Sequence, residues 1–143
     1  KQTIDLGTEY DDESADQVRD AFDKCNDNFD ELYDADTALA LVTENNETES
    51  YTLALSDANK IVTMTNANAV TLTVPLNSSV AFPVGTMIIV AQMGAGQVTI
   101  TPATVGVTIN SYNNALKLVG QYATCSLTKL ATDTWLCSGN LEA

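Results

Sequence analysis

Between residues 15 and 32, the apolar side chains Ala15, Val18, Phe22, Cys25, Phe29 and Leu32 recur at alternating intervals of three and four residues. That spacing describes the seam of a coiled coil, a narrow apolar band that must be covered by another helix. With Ala15, Phe22 and Phe29 at a positions and Val18, Cys25 and Leu32 at d, the acids Asp16, Asp23 and Asp30 fall at b and Asp20, Asp27 and Asp34 at f. One side of the helix seeks a partner and the other seeks water. The start is marked by Ser14, a capping hydroxyl with Gln17 three residues on, and by Asp16 in the first turn, where the helix dipole favours negative charge.

Such a helix is weak by itself. Asp and Asn are poor helix formers, and Asp16/Asp20, Asp23/Asp27 and Asp30/Asp34 are like charges one turn apart. A span of about 20 residues, roughly 30 Å, is near the marginal length for an isolated helix in water, so the seam must supply the stability. Aromatic a positions with a mixed d layer depart from the β-branched a pattern of two-stranded coils and point to three strands. The competing reading is an amphipathic helix packed on its own domain.

Charge divides the 143-residue chain. Residues 1–50 hold sixteen Asp or Glu against three Lys or Arg, whereas residues 51–143 hold three of each. Two regions with different surroundings are implied. The acidic region lacks the clustered Lys and Arg that a nucleic acid requires, and the same sign disfavours an anionic membrane, so neither is expected as a partner. No run of 18 apolar residues occurs, and the first residues lack the basic and apolar regions of a secretory leader; a soluble chain is expected. Three cysteines, Cys25, Cys125 and Cys137, have no metal spacing and read as small buried apolar residues, although Cys125 and Cys137 could meet on neighbouring strands.

Four regions follow. Residues 1–13 read as an extended arm in which Ile4 and Leu6 share one strand face, with Tyr10 beyond; strand addition to a partner and a frayed terminus are the two readings. Residues 14–35 form the coiled-coil helix. Residues 36–50 form a polar linker, because Asp36 interrupts the seam at an a position although Leu39 continues d. Residues 51–143 alternate in the manner of β-strands at 51–55, 60–65, 69–74, 86–92, 97–101, 105–109, 115–119, 122–130 and 134–138. Turn signals about ten residues apart predict a mainly antiparallel β sandwich of jelly-roll type, giving an α+β chain. Val70-Thr-Leu-Thr-Val74 and Val98-Thr-Ile-Thr101 each show one apolar and one hydroxyl face. Met87-Ile-Ile-Val90 is apolar on both faces, as in a central strand or a subunit contact. Pro83-Val84-Gly85 fits a tight turn, Gly94-Ala-Gly96 a hairpin turn, and Trp135 a core position.

No catalytic constellation emerges, and no enzyme activity, cofactor or metal is expected. The chain contains no His, which removes the commonest general base and most transition-metal ligand sets. The paired carboxylates lie on a solvated helix face, where nothing separates their pKa values as acid/base catalysis requires. Residues 11–16 have the charge of a calcium loop but neither its central Gly nor its ligand spacing. In the neutral region only Asp57, Asp133 and Glu142 could serve a hydrolase. The Asn-x-Ser/Thr triplets at Asn46 and Asn77 are expected by chance in so Asn- and Thr-rich a chain.

The run Arg19-x-Ala21-Phe22-x-Lys24-x-Asn26-x-Asn28-Phe29-x-Glu31-Leu32-Tyr33, after the lead-in Ile4-x-Leu6-Gly7-Thr8, resembles the N-terminal segment of tailed-bacteriophage fibre, spike and head-decoration proteins. It departs from that pattern at Cys25, where Ile is more usual, and in the acidic stretch 11–16, where a Gly-containing turn is usual. Asp57-Ala-Asn-Lys60, Val70-Thr-Leu-Thr-Val-Pro75, Phe82-Pro-Val-Gly85, Gly94-Ala-Gly96, Gly106-Val-Thr-Ile-Asn110 and Trp135-x-x-x-Gly139 are similar to a small β module of phage fibre-type proteins. The resemblance implies a homotrimeric virion component, assembled in the host cytoplasm, with an anchoring arm, a short coiled coil and an exposed β domain. A head fibre or capsid decoration protein is then expected. Ile4, Leu6 and Tyr10 would dock on the major capsid protein or another virion protein, while Ala15, Val18, Phe22, Cys25, Phe29 and Leu32 trimerise. The alternative is a tail fibre or tail-tip protein whose β domain binds a host-surface glycan or protein.

Overall fold

The computed structural model describes residues 18–40 and 42–143. The arm with Ile4, Leu6 and Tyr10, the Ser14 cap and Ala15 lie outside the described residues. Helix α1 spans Val18–Ala40, five residues beyond the expected end, so the helix takes in the first third of the expected linker. It carries seven acidic residues against two basic ones. Residues Val42–Ala143 form a separate unit, entirely β apart from two short 3₁₀ turns.

Its eleven strands are β1 (Glu44–Glu47), β2 (Tyr51–Thr52), β3 (Ile61–Met64), β4 (Val70–Val74), β5 (Met87–Gln92), β6 (Val98–Pro102), β7 (Thr108–Ser111), β8 (Lys117–Leu118), β9 (Thr124–Ala131), β10 (Thr134–Gly139) and β11 (Leu141–Glu142). One sheet has the order β1-β3-β5-β9-β10-β7 and the other β11-β8-β6-β4-β2. Up to β6 the chain alternates between the sheets, odd strands in the first and even strands in the second. Each new strand therefore lies parallel to the one two before it, and the chain winds as three coils of a parallel β-solenoid. The far side of the third coil is covered by antiparallel strands, β9 against β5 and β8 against β6.

This winding corrects the expectation of a mainly antiparallel, jelly-roll domain. Five pairings are parallel and four antiparallel. The nine expected strand runs all contain strands, but connections that cross to the opposite sheet replace most of the hairpins. Gly94-Ala-Gly96 accordingly forms a corner between the sheets and not a hairpin. It stacks on the corner Asn66–Asn68 of the coil before, with Gly96 N–H donating to Asn66 O at 2.9 Å and Gly94 N–H to Met64 O at 3.1 Å. Gln92 braces the same corner by accepting the Val98 N–H at 3.1 Å. Pro83–Thr86 is a tight turn as expected: the Thr86 N–H reaches Pro83 O at 3.2 Å, and Gly85 supplies the positive φ of 92°.

Inward residues of both sheets meet in one core that includes Val62, Met64, Leu72, Val74, Ile88, Val90, Ile100, Leu127 and Trp135. Strand alternation explains the selection, since β4 buries Val70, Leu72 and Val74 and turns Thr71 and Thr73 outward. Cys125 and Cys137 are buried free thiols. The Cys137 thiol hydrogen-bonded to Cys125, together with burial, pushes the Cys125 thiol far above the usual range, while the same hydrogen bond lowers Cys137 against the opposing effect of burial.

A buried carboxylate ties the first coil together. Asp57 accepts from Asn45 Nδ2 at 2.9 Å, Tyr51 OH at 2.9 Å and the Ala54 N–H at 2.8 Å. Asp57→Ala removes the shared acceptor and leaves these donors to find others, an expected loss of about 3 kcal/mol in denaturant unfolding. Burial and the neighbouring Asp57 carboxylate push the Tyr51 phenol up to about 12 from 10.0. The folded state thus keeps a proton that the unfolded chain releases. Stability from this contact is complete below pH 10.0, falls as pH rises and is gone above about 12. A stability titration over that window should lose this component in Tyr51→Phe.

Candidate assembly surfaces

The helix places its stripe by spacing alone. Phe22 and Phe29 are seven residues apart and Leu32 follows three later, so the side chains stack along one side of successive turns. In the single chain Phe22 is 65% exposed, Phe29 57% and Leu32 62%. Cys25 is partly covered, and Asp20, Asp23, Asp27, Asp30 and Asp34 are exposed. Val18 opens the described helix, and Ala15 falls outside it. Three large apolar groups left in water over so short a length form a candidate contact surface, since isolated exposed apolar residues are ordinary but an aligned row is not.

A second surface lies on the outer face of the six-stranded sheet. In β5, Ile88 and Val90 point into the core, while Met87 and Ile89 turn outward. Pairing places Ile61, Ile89, Ser126 and Ser138 in one row across β3, β5, β9 and β10. It places Met87, Thr128, Leu136 and Asn110 in a second row. Neither row carries a charge. Beside them Val42, Asn59, Lys60, Met87 and Ile89 line a pocket of about 190 Å³. The two-faced apolar character of β5 thus reflects a central strand whose outer face remains partly open.

No protein-family model matches the chain, and no curated protein matches it. What these surfaces do must be argued from their own chemistry.

The three carboxylates of residues 51–143 serve local structure. Asp57 is held by three donors, Asp133 accepts the Asn77 N–H at 2.7 Å, and Glu142 accepts from Gln97 Nε2. Among the described residues no group of three or more His, Cys, Asp or Glu could hold a metal ion. No described helix is long and apolar enough to cross a membrane.

Sequence reasoning missed two features. Lys129 sits at an inward position of β9 and is 2% exposed. The signal was its place in Cys125-Ser-Leu127-Thr-Lys129, where alternation assigns it to the apolar side. The second is a repeat: Ile61-Val-Thr-Met-Thr-Asn-Ala-Asn-Ala-Val-Thr-Leu-Thr-Val74 recurs 28 residues later as Ile89-Val-Ala-Gln-Met-Gly-Ala-Gly-Gln-Val-Thr-Ile-Thr-Pro102. The same offset pairs Ile61 with Ile89 and Leu72 with Ile100. A repeat that matches register is the mark of stacked coils.

Proposed function

We propose that this chain is a structural protein of a bacteriophage particle, a head fibre or capsid decoration protein that assembles as a homotrimer through its N-terminal helix. The observation that carries the reading is the exposed row Phe22, Phe29 and Leu32 on an otherwise acidic helix. Each copy carries a formal charge of −13, so association of copies gathers like charge. A coiled coil answers this by sealing the apolar seam at its axis and turning the aspartates outward. The seam is Ala15, Val18, Phe22, Cys25, Phe29 and Leu32, and the docking arm is Ile4, Leu6 and Tyr10. The weakly acidic β-solenoid, with hydroxyl and amide faces, suits an exposed module on a particle surface.

Antibody labelling of intact particles tests the placement. Label on heads is the expected result, and particles that lack the protein altogether would contradict the reading.

A tail fibre that binds a host-surface glycan or protein is the second reading, favoured by one feature. Tyr112 is 86% exposed beside a shallow pocket of about 210 Å³ that is also lined by Leu136, Ser138 and Leu141. A sugar ring could stack on such a tyrosine and use the serine hydroxyl. Label confined to tails, with cell binding reduced at least tenfold by Tyr112→Ala, would favour this second reading.

A further inference from the structure

The strongest unexplained chemistry in the β unit surrounds Lys129. Its side chain points into the core, its Nζ donates to Phe82 O at 2.8 Å, and its second acceptor is the side-chain oxygen of Asn77. The ammonium lies 5.8 Å from the Trp135 ring centre, and Phe82 packs edge-on against that ring with centres 5.5 Å apart. Asn77 is fixed from its other side, because its own N–H donates to Asp133 Oδ1 at 2.7 Å. An amine beside an aromatic ring is therefore held against a side-chain amide from a segment 52 residues away in the chain.

The geometry points to an intramolecular isopeptide bond between Lys129 Nζ and Asn77 Cγ, formed by the folded chain itself. Hydrogen-bond contact of Nζ with Asn77 Oδ1 brings the nitrogen to within about 3–3.5 Å of the carbonyl carbon, the separation of a near-attack arrangement. The nucleophile is the neutral amine, and burial lowers the Lys129 pKa, opposed by the Asp133 carboxylate. The Nζ lone pair forms the new C–N bond, the bond from Cγ to Nδ2 breaks, and one lysine proton passes to the departing Nδ2, which leaves as ammonia. A lysine that enters as the ammonium sends its extra proton out on the ammonia. No oxidant, reductant or co-reactant is consumed. Asp133 is a positioning residue, since it holds Asn77 through the main chain, and the Trp135 ring, with Phe82 edge-on against it, covers the lysine end of the pair.

The test is the intact mass of the denatured full chain, followed by mapping of a protease digest. The expected result is a mass lower than the calculated one by a single ammonia, with a branched peptide joining the segments that contain Asn77 and Lys129. Asn77→Ala should show its full calculated mass. A wild-type chain at its calculated mass, or an ammonia loss that maps to a succinimide at another asparagine, would overturn the proposal. Both readings come from wild-type protein, so an unstable variant cannot obscure them.

Discussion

Phe22→Asp combined with Phe29→Asp should convert the proposed trimer into monomers or aggregates at micromolar concentration, with the β unit still folded. Each phenylalanine buried at a helix interface contributes on the order of 2 kcal/mol, and in the proposed trimer three copies would share each layer. The substitution also forces a carboxylate into that layer, where taking it out of water costs several kcal/mol more. Six buried carboxylates in two layers exceed what the remaining Val18, Cys25 and Leu32 contacts could offset. Light scattering reads the assembly state, and the near-ultraviolet signal of Trp135, buried in the β core, reads the fold. A double variant that keeps the assembly state of the wild type would remove the seam from the account of assembly. The control Asp23→Asn with Asp30→Asn changes only the outer face and should leave assembly intact.

Gly96→Ala should be among the most damaging single changes in the β unit. A methyl group there would lie 1.9 Å from Asn68 O and 2.2 Å from Asn68 C. Both are backbone atoms of the stacked corner, so no rotamer change relieves the collision, and the two coils must separate. Overpacking against a flexible side chain costs about 1–3 kcal/mol, and against backbone the loss should reach or exceed the upper end. Gly85→Ala fails for a different reason, since its added methyl has open space but the φ of 92° is strained for any side chain. Urea unfolding distinguishes the cases. A Gly96→Ala chain with a midpoint within error of wild type would contradict the coil stacking described above.

Much of this architecture can be read from local pattern. The nine strand runs were legible because Asn, Gly, Pro and Asp interrupt alternating apolar and hydroxyl residues at short intervals. Pairing direction was not, because strands alternate with period two whether their neighbours run parallel or antiparallel. The decisive signal was longer in range, the 28-residue repeat that aligns Val70–Val74 with Val98–Pro102. Strand β1 was hidden for another reason: Glu44-Asn-Asn-Glu47 has no β-forming residue, and its conformation is imposed by β3. Thr63 Oγ1 donates to Glu44 Oε1 at 2.6 Å, and Asn45 reaches Asp57. Tertiary contacts here override propensity. The apolar stripe of the helix was legible from the spacing of Phe22, Phe29 and Leu32, which are exposed in the single chain. The Lys129 cluster was not, because Asn77 and Asp133 lie far from it in the chain or outside its strand, and only folding brings them together.

The direct measurement is the mass of the wild-type chain in solution, by sedimentation equilibrium at micromolar concentration and physiological salt. A chain of 15.2 kDa sealed along its helix by two identical copies should sediment at three times that mass. A species of 15.2 kDa with Phe22 and Phe29 open to solvent would contradict it.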